Sequence, residues 1–246
     1  MIIPKMILFD YGGTLLYEPD FDPRRGNEAL FRLIKDNPDN ITLDEYTDKQ
    51  QVLFEEIREL RSDLIEIHEY YFLRYLLEYF NITLIVSIEK AEQEVFEAVT
   101  HAMPTPDSDT MLDYLTRSNI KTGVISNLCW SRKSLSERLY KHFPKHQFDF
   151  IMTSSEYVFR KPDKHIFELA VRKSGLNADE IWYCGNNVCA DIIGAHKSGL
   201  FPVFYNNTNL NHSERLDNDV SGMDFPYLTV SSWEEFVEIL NDNMKS

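Results

Sequence analysis

The sequence predicts an α/β fold, a doubly wound parallel sheet carrying an inserted helical segment. Three observations point there. Short continuous apolar runs recur along the chain, helical patterns separate the later runs, and one long stretch near the start has helical periodicity with almost no strand signal.

The first run is Met6-Ile7-Leu8-Phe9, closed by Asp10 and the pair Gly12-Gly13. It reads as a buried strand leading into a tight turn. Similar runs follow at Thr122 to Ile125, Phe150 to Met152, Ile181 to Cys184 and Pro202 to Tyr205. Strands covered on both faces lack apolar–polar alternation, which marks a parallel sheet. Between them lie helical patterns: Thr110 to Ser118, Asp163 to Ser174 ending at Gly175, Asp191 to Ser198, and a last one from Trp233 to Leu240. Gly175 suits a helix C-cap. The alternation is that of a Rossmann-like core.

Residues 17–105 differ. Gln51 to Phe80 is one helical pattern, with Leu53, Phe54, Ile57, Leu60, Leu64, Ile65, Phe72, Leu76 and Phe80 on its apolar face. Its length predicts at least one break. Glu89 to His101 reads as another helix, and Ile82 to Val86 as a short β-branched stretch. The expected organisation is a core of residues 1–16 and 106–246 with a helical domain at 17–105. The polar stretch 206–226 reads as a surface loop.

Composition narrows the function classes. The 246 residues carry 25 Lys and Arg against 40 Asp and Glu, a net charge of −15. Such a chain is repelled by nucleic-acid backbones and anionic membranes, so neither is an expected partner. Its three cysteines, Cys129, Cys184 and Cys189, fit no zinc spacing and read as reduced thiols of a cytoplasmic protein. No apolar run approaches a membrane span, and Pro4 and Lys5 interrupt the opening one, so no signal peptide is expected. Oligomeric state is not legible.

Four groups of polar residues sit at or just after strand ends, where open α/β sheets bind ligands. Asp10 follows the first strand beside two glycines, as a nucleophilic carboxylate would, with Thr14 close behind. Ser126-Asn127 follows the Thr122 strand and could hold a phosphate oxygen. Lys161 precedes Pro162, which reads as the N1 residue of the next helix, and its ammonium could neutralise a phosphate beside Asp10. Asp191 opens a helix after Gly185-Asn186-Asn187, as an N-cap or a metal-site carboxylate. Each alone has an ordinary turn or surface explanation; their order along the chain does not.

With FDYGGTLL, VISN, FRKPDKHIF and WYCGNNVCADIIGAHKSG in this order, the chain resembles the haloacid dehalogenase-like hydrolase superfamily. The inserted helices resemble the helical cap of that family. The resemblance implies Asp10 as nucleophile, Lys161 as its stabilising cation, and Ser126, with Asn127 and Thr14 nearby, as ligands of the transferring group. It also implies Mg²⁺, held by Asp10, the carbonyl of Gly12, Asn186 and Asp191, and a small phosphorylated substrate.

The sequence departs from the phosphatase pattern twice. Phosphatases of this family carry a second Asp, the general acid and base, where Gly12 stands, and Gly-Asp where Gly185-Asn186 stands. Positioned acid–base catalysis contributes ~10²–10⁴-fold, so ester cleavage should be slow unless another group supplies the proton. The metal site should be weakened but present, since Mg²⁺ often uses one or two carboxylates plus phosphate. Three readings stay open: a Mg²⁺-assisted phosphatase, a metal-independent dehalogenase-like hydrolase whose leaving group needs no proton, and a catalytically weak phosphometabolite-binding protein. Among cap residues, His68 and the Tyr70-Tyr71 pair are possible pocket residues, whereas Phe72, Tyr75 and Phe80 read as helix–helix core.

Overall fold

A computed structural model describes residues 3–207 and 219–245. The elements run β1 (Met6–Phe9), β2 (Leu16–Tyr17), α1 (Pro23–Phe31), β3 (Ile34–Asp36), α2 (Leu43–Ser62), α3 (Glu69–Tyr79), β4 (Thr83–Leu84), α4 (Ile88–Val99) and β5 (Met103–Pro104). They continue through α5 (Ser108–Arg117), β6 (Lys121–Ser126), α6 (Arg132–His142), β7 (Phe150–Thr153), α7 (Ser154–Tyr157), α8 (Lys164–Ser174) and β8 (Ile181–Gly185). The last are α9 (Gly194–Lys197), β9 (Phe201–Tyr205), β10 (Leu228–Val230) and α10 (Trp233–Lys245).

Six strands form one sheet in the order β10-β9-β8-β1-β6-β7, and every pairing is parallel. The chain leaves β1 toward β6 and β7, then returns to build β8, β9 and β10 on the other side. The strand order therefore reverses at β1, and a crevice opens at its carboxyl end, where Asp10 lies. Alternate residues of β1 serve opposite layers. Ile7 and Phe9 join Trp233, Phe236, Leu112 and Leu135 on one face. Met6 and Leu8 join Ile166, Phe167 and Ala195 on the other. Burial on both faces is why these strands read as unbroken apolar runs.

The helices between β2 and β5 hold a separate core of Leu30, Tyr46, Phe72, Leu73, Leu76, Val95 and Phe96. The expected break in the Gln51–Phe80 pattern falls between α2 and α3, where Leu64 takes a positive φ of 61°. There Glu66 turns back to the sheet domain, ion-pairing with Arg160 and accepting from Ser154 Oγ at 2.8 Å. Two residues of the expected apolar face, Phe54 and Leu60, are exposed, whereas Leu53 and Ile57 pack against the helical core. Tyr75 is also exposed rather than core, while Phe72 is buried as expected. β2 and β5 pair antiparallel, so the two crossings between the helical segment and the sheet run side by side.

Three helices, α1, α6 and the single turn α7, have no counterpart in the sequence reading. α1 starts at Pro23 under the Asp22 cap, and α6 carries only a thin apolar stripe of Leu135 and Leu139. Of the loop expected at 206–226, residues 208–218 lie outside the described residues. Met223, Phe225 and Tyr227 pack beside Val188, Ile192 and Phe204. Among the described residues no helix is long and apolar enough to cross a membrane.

Candidate active site

Asp10 continues β1 by one residue, its N–H donating to the carbonyl of Cys184 at 2.8 Å. The chain then turns tightly: the Tyr11 carbonyl accepts from Leu15 N at 3.0 Å and Leu16 N at 3.1 Å. Gly13 holds φ at +71°, and a Cβ there would lie 2.2 Å from Asn186 Nδ2. Gly13 is thus required twice, by its backbone and by the amide packed against it. Gly12 is different: a Cβ at this position would meet nothing within 4 Å.

Lys161 is the centre of the arrangement. Its Nζ lies 2.7 Å from Asp10 Oδ1, 2.7 Å from Asp191 Oδ1, 2.7 Å from the Tyr183 hydroxyl and 3.0 Å from the Ile125 carbonyl. An ammonium has three protons. The count closes if Lys161 donates to Asp10, Asp191 and Tyr183, while Tyr183 donates to Ile125 O at 3.0 Å. Burial alone would lower the Lys161 pKa, but the two carboxylates outweigh it and hold the ammonium above its usual value. Burial pushes the Asp10 carboxyl up to about 6, Lys161 opposes the rise and Asp191 adds to it. Burial likewise holds the Tyr183 phenol well above its ordinary value.

Asn127 fixes Lys161 from the backbone side. Its Nδ2 donates to the Lys161 carbonyl at 2.9 Å, and its Oδ1 accepts from the Lys161 N–H at 2.7 Å. These two hydrogen bonds commit the Asn127 side-chain amide to the Lys161 backbone. Ser126, the last residue of β6, is buried one strand over from Asp10. Thr14 is fully buried, and its hydroxyl has no hydrogen-bond partner among the described residues.

Two expectations about helix ends are corrected. α8 begins at Lys164, and Asp163 is its cap, accepting from His165 N at 2.8 Å. Pro162 therefore precedes the helix instead of occupying N1. Asp191 does not open its helix either: a π-helical turn runs Val188–Ile193, capped by Asn187, whose Oδ1 accepts from Ala190 N at 2.7 Å. Asp191 points instead into the site, with Oδ2 accepting from Asn187 N at 3.0 Å.

Tyr183 is the site residue that sequence reasoning missed. The available signal was a tyrosine inside an apolar strand, since a buried phenol needs a partner. The Lys161 ammonium, expected beside Asp10, does lie against it; it is only 3% exposed and is shared with Asp191. His68, Tyr70 and Tyr71 do line a cavity of about 180 Å³ with Glu89, Glu92 and Lys133. That cavity shares no lining residue with the surroundings of Asp10.

The oxygen donors the sequence offers for a cation here would be the Asp10 carboxylate, the Gly12 carbonyl and the Asn186 amide, Asp191 being paired to Lys161. Among the described residues no cluster of three or more His, Cys, Asp or Glu could hold a metal ion. Such a donor set fits Mg²⁺ only where substrate phosphate and water complete the shell.

A family model described as haloacid dehalogenase-like hydrolase matches residues 37–204. The chain belongs to the haloacid dehalogenase-like hydrolases. The matched span includes Ser126, Asn127, Lys161, Asn186 and Asp191 but begins after Asp10, Gly12 and Thr14. The hydrolase is 32% identical over 121 residues to a glyceraldehyde 3-phosphate phosphatase of Methanothermobacter thermautotrophicus, covering 49% of this chain and 52% of that one. It is 29% identical over 151 residues to the pyrimidine 5′-nucleotidase YjjG of Escherichia coli, covering 58% and 62%. The matches thus span little more than half the length of these relatives.

Among solved structures, a phosphatase of this superfamily from Thermococcus onnurineus aligns with a TM-score of 0.60 at 20% identity, covering 96% of this chain and 97% of that one. A 2-haloacid dehalogenase from Pseudomonas syringae pv. Tomato aligns with a TM-score of 0.60 at 19% identity, covering 97% and 99%. Phosphatase and dehalogenase share this fold equally well, so the fold does not choose between them.

Proposed function

We propose that this hydrolase attacks a small phosphorylated metabolite with the carboxylate of Asp10. The observation that carries the reading is the Lys161 ammonium 2.7 Å from Asp10 Oδ1, itself shared with Asp191. A buried carboxylate beside a fixed cation stays available as an anion and can approach a dianionic phosphate. The named activities of the two sequence relatives, both on phosphate esters, support the same choice.

In this reading Thr14 and Ser126 receive the phosphoryl oxygens. The unpaired Thr14 hydroxyl supports that role, because a buried donor without a partner is costly unless a ligand satisfies it. Mg²⁺ would be held by Asp10, the Gly12 carbonyl and Asn186, and would neutralise phosphate charge during attack. Asp191, ion-paired to Lys161, orients the ammonium more than it binds metal. Residues 17–105 act as the cap over this site and select the substrate, and its closure excludes water.

The test is phosphate release from a panel of phosphorylated metabolites with Mg²⁺, repeated in chelator and with Asp10→Asn. Turnover that needs both the metal and Asp10 supports the reading. Turnover unchanged in Asp10→Asn removes it. The missing acid at Gly12 favours a second reading, a metal-independent dehalogenase-like hydrolase. Halide release from 2-chloro acids in excess chelator would establish it.

A further inference from the structure

We infer that this hydrolase is specialised for phosphorylated substrates whose leaving oxygen departs as a stabilised anion, acyl phosphates foremost, because no side chain around Asp10 can deliver a proton to it. The inference rests on the phosphatase reading above and narrows its substrate class.

The proton inventory supports this. Position 12 has no side chain, and the space where one would project is open for 4 Å. The three protons of Lys161 are matched by Asp10, Asp191 and Tyr183, and the ammonium is sealed from the crevice. The Tyr183 proton points to the Ile125 carbonyl, behind the lysine. Asp191 accepts on both oxygens, from Lys161 and from Asn187 N, and has no proton to give. Thr14 and Ser126 are hydroxyls, useful as hydrogen-bond donors but not as acids.

The acids of the helical segment near these loops are also committed. Glu66 pairs with Arg61 and Arg160. Glu92 accepts from Ser131 N at 2.7 Å and Ser134 Oγ at 2.5 Å. Glu18 accepts from Arg138 at 2.9 Å and from the Tyr11 hydroxyl at 2.8 Å. Glu69 is raised to about 7 by burial, but its side-chain hydrogen-bond partner is Cys129 and the charges that act on it are Glu92, Arg61 and Glu66.

The chemistry then balances without an acid. An Asp10 oxygen bonds to phosphorus as the bond from phosphorus to the leaving oxygen breaks, and that electron pair departs on a carboxylate or phenolate. Water then adds to the aspartyl phosphate and both of its protons leave on the phosphate, which restores the Asp10 carboxylate. An alkoxide leaving group has no such stability and needs a proton as it departs.

The test compares kcat/KM for acetyl phosphate, p-nitrophenyl phosphate, phenyl phosphate and glycerol 3-phosphate. The two aryl esters differ little in shape, so their ratio isolates the leaving group. The expected result is a steep gradient, with acetyl phosphate at least about 10²-fold above glycerol 3-phosphate, the lower bound of what a positioned acid contributes. Gly12→Asp should raise the glycerol 3-phosphate value by ~10²–10⁴-fold and flatten the aryl ratio. Wild-type values within about tenfold of one another overturn the inference alone, and that gradient needs no variant to fold. Failure to turn over any of the four, with no phosphoryl group on Asp10 by mass spectrometry, overturns the phosphatase reading and the inference with it.

Discussion

The backbone of Gly185 lies against the carboxylate of Asp191: a Cβ on Gly185 would sit 2.3 Å from the Asp191 carboxyl carbon. The last residue of β8 must therefore be glycine for the acid to fold back onto Lys161. Gly185→Ala should push Asp191 off the ammonium and cost about 1–3 kcal/mol by overpacking. Urea unfolding would measure the loss, and phosphate release should fall with it. An alanine variant as stable and active as the parent would mean that Asp191 does not need this approach.

Removing the cation is the harsher change. Lys161→Met leaves Asp10 and Asp191 side by side without a counter-ion in a site where Lys161 is almost wholly buried. Breaking a buried pair on one side costs about 3–5 kcal/mol. The urea midpoint at neutral pH should drop accordingly and turnover should vanish. An unchanged midpoint would show that the carboxylates find another partner.

Thr14→Val separates binding from folding. The Thr14 hydroxyl is buried without a partner, while the Thr14 carbonyl accepts from Thr105 Oγ1 at 2.7 Å and survives the substitution. Replacing an unsatisfied buried hydroxyl by a methyl of like shape is nearly neutral or stabilising. Stability should hold or rise while affinity for inorganic phosphate falls, read by calorimetry. Equal phosphate affinity would remove Thr14 from the phosphoryl site.

His146 sets an acid limit on stability. It lies buried between α5 and β6, with Nε2 2.7 Å from Thr122 Oγ1 and Nδ1 3.2 Å from Thr116 Oγ1. Burial lowers its pKa below the ordinary 6.5, so the folded protein keeps the ring neutral where the unfolded chain takes up a proton. This contribution is complete above about pH 6.5 and is lost as pH falls, with a slope of at most about 1.4 kcal/mol per pH unit. Unfolding free energies between pH 7.5 and 5.5 should fall more steeply for the parent than for His146→Gln. Parallel slopes would exclude the imidazole as the cause.

Much of the fold could be read from the chain because the buried strands have no polar positions to confuse the pattern. Met6 to Phe9 and Ile181 to Cys184 each lie inside a strand of the central sheet. The elements that escaped are those whose stability comes from contacts made far away. α6 shows the polar residues Arg138 and Ser134 where a core helix would show apolar ones. Arg138 is buried because Glu18, Glu97 and the Phe96 ring surround it, and Ser134 because Glu92 reaches it from α4. Nothing local announces such pairings. For the same reason α2 was given an apolar face of which Phe54 and Leu60 lie in solvent.

By itself the sequence determined the layered fold, the strand ends where polar residues collect, and the absence of an acid at position 12. Those are local properties, written in periodicity and in single residue types. Only the tertiary structure decided that Lys161 is shared by two carboxylates, that Asn127 grips its backbone, and that Tyr183 takes its third proton. These partners are separated by up to 151 positions along the chain, and hydrogen-bond satisfaction is settled by which atoms meet in space.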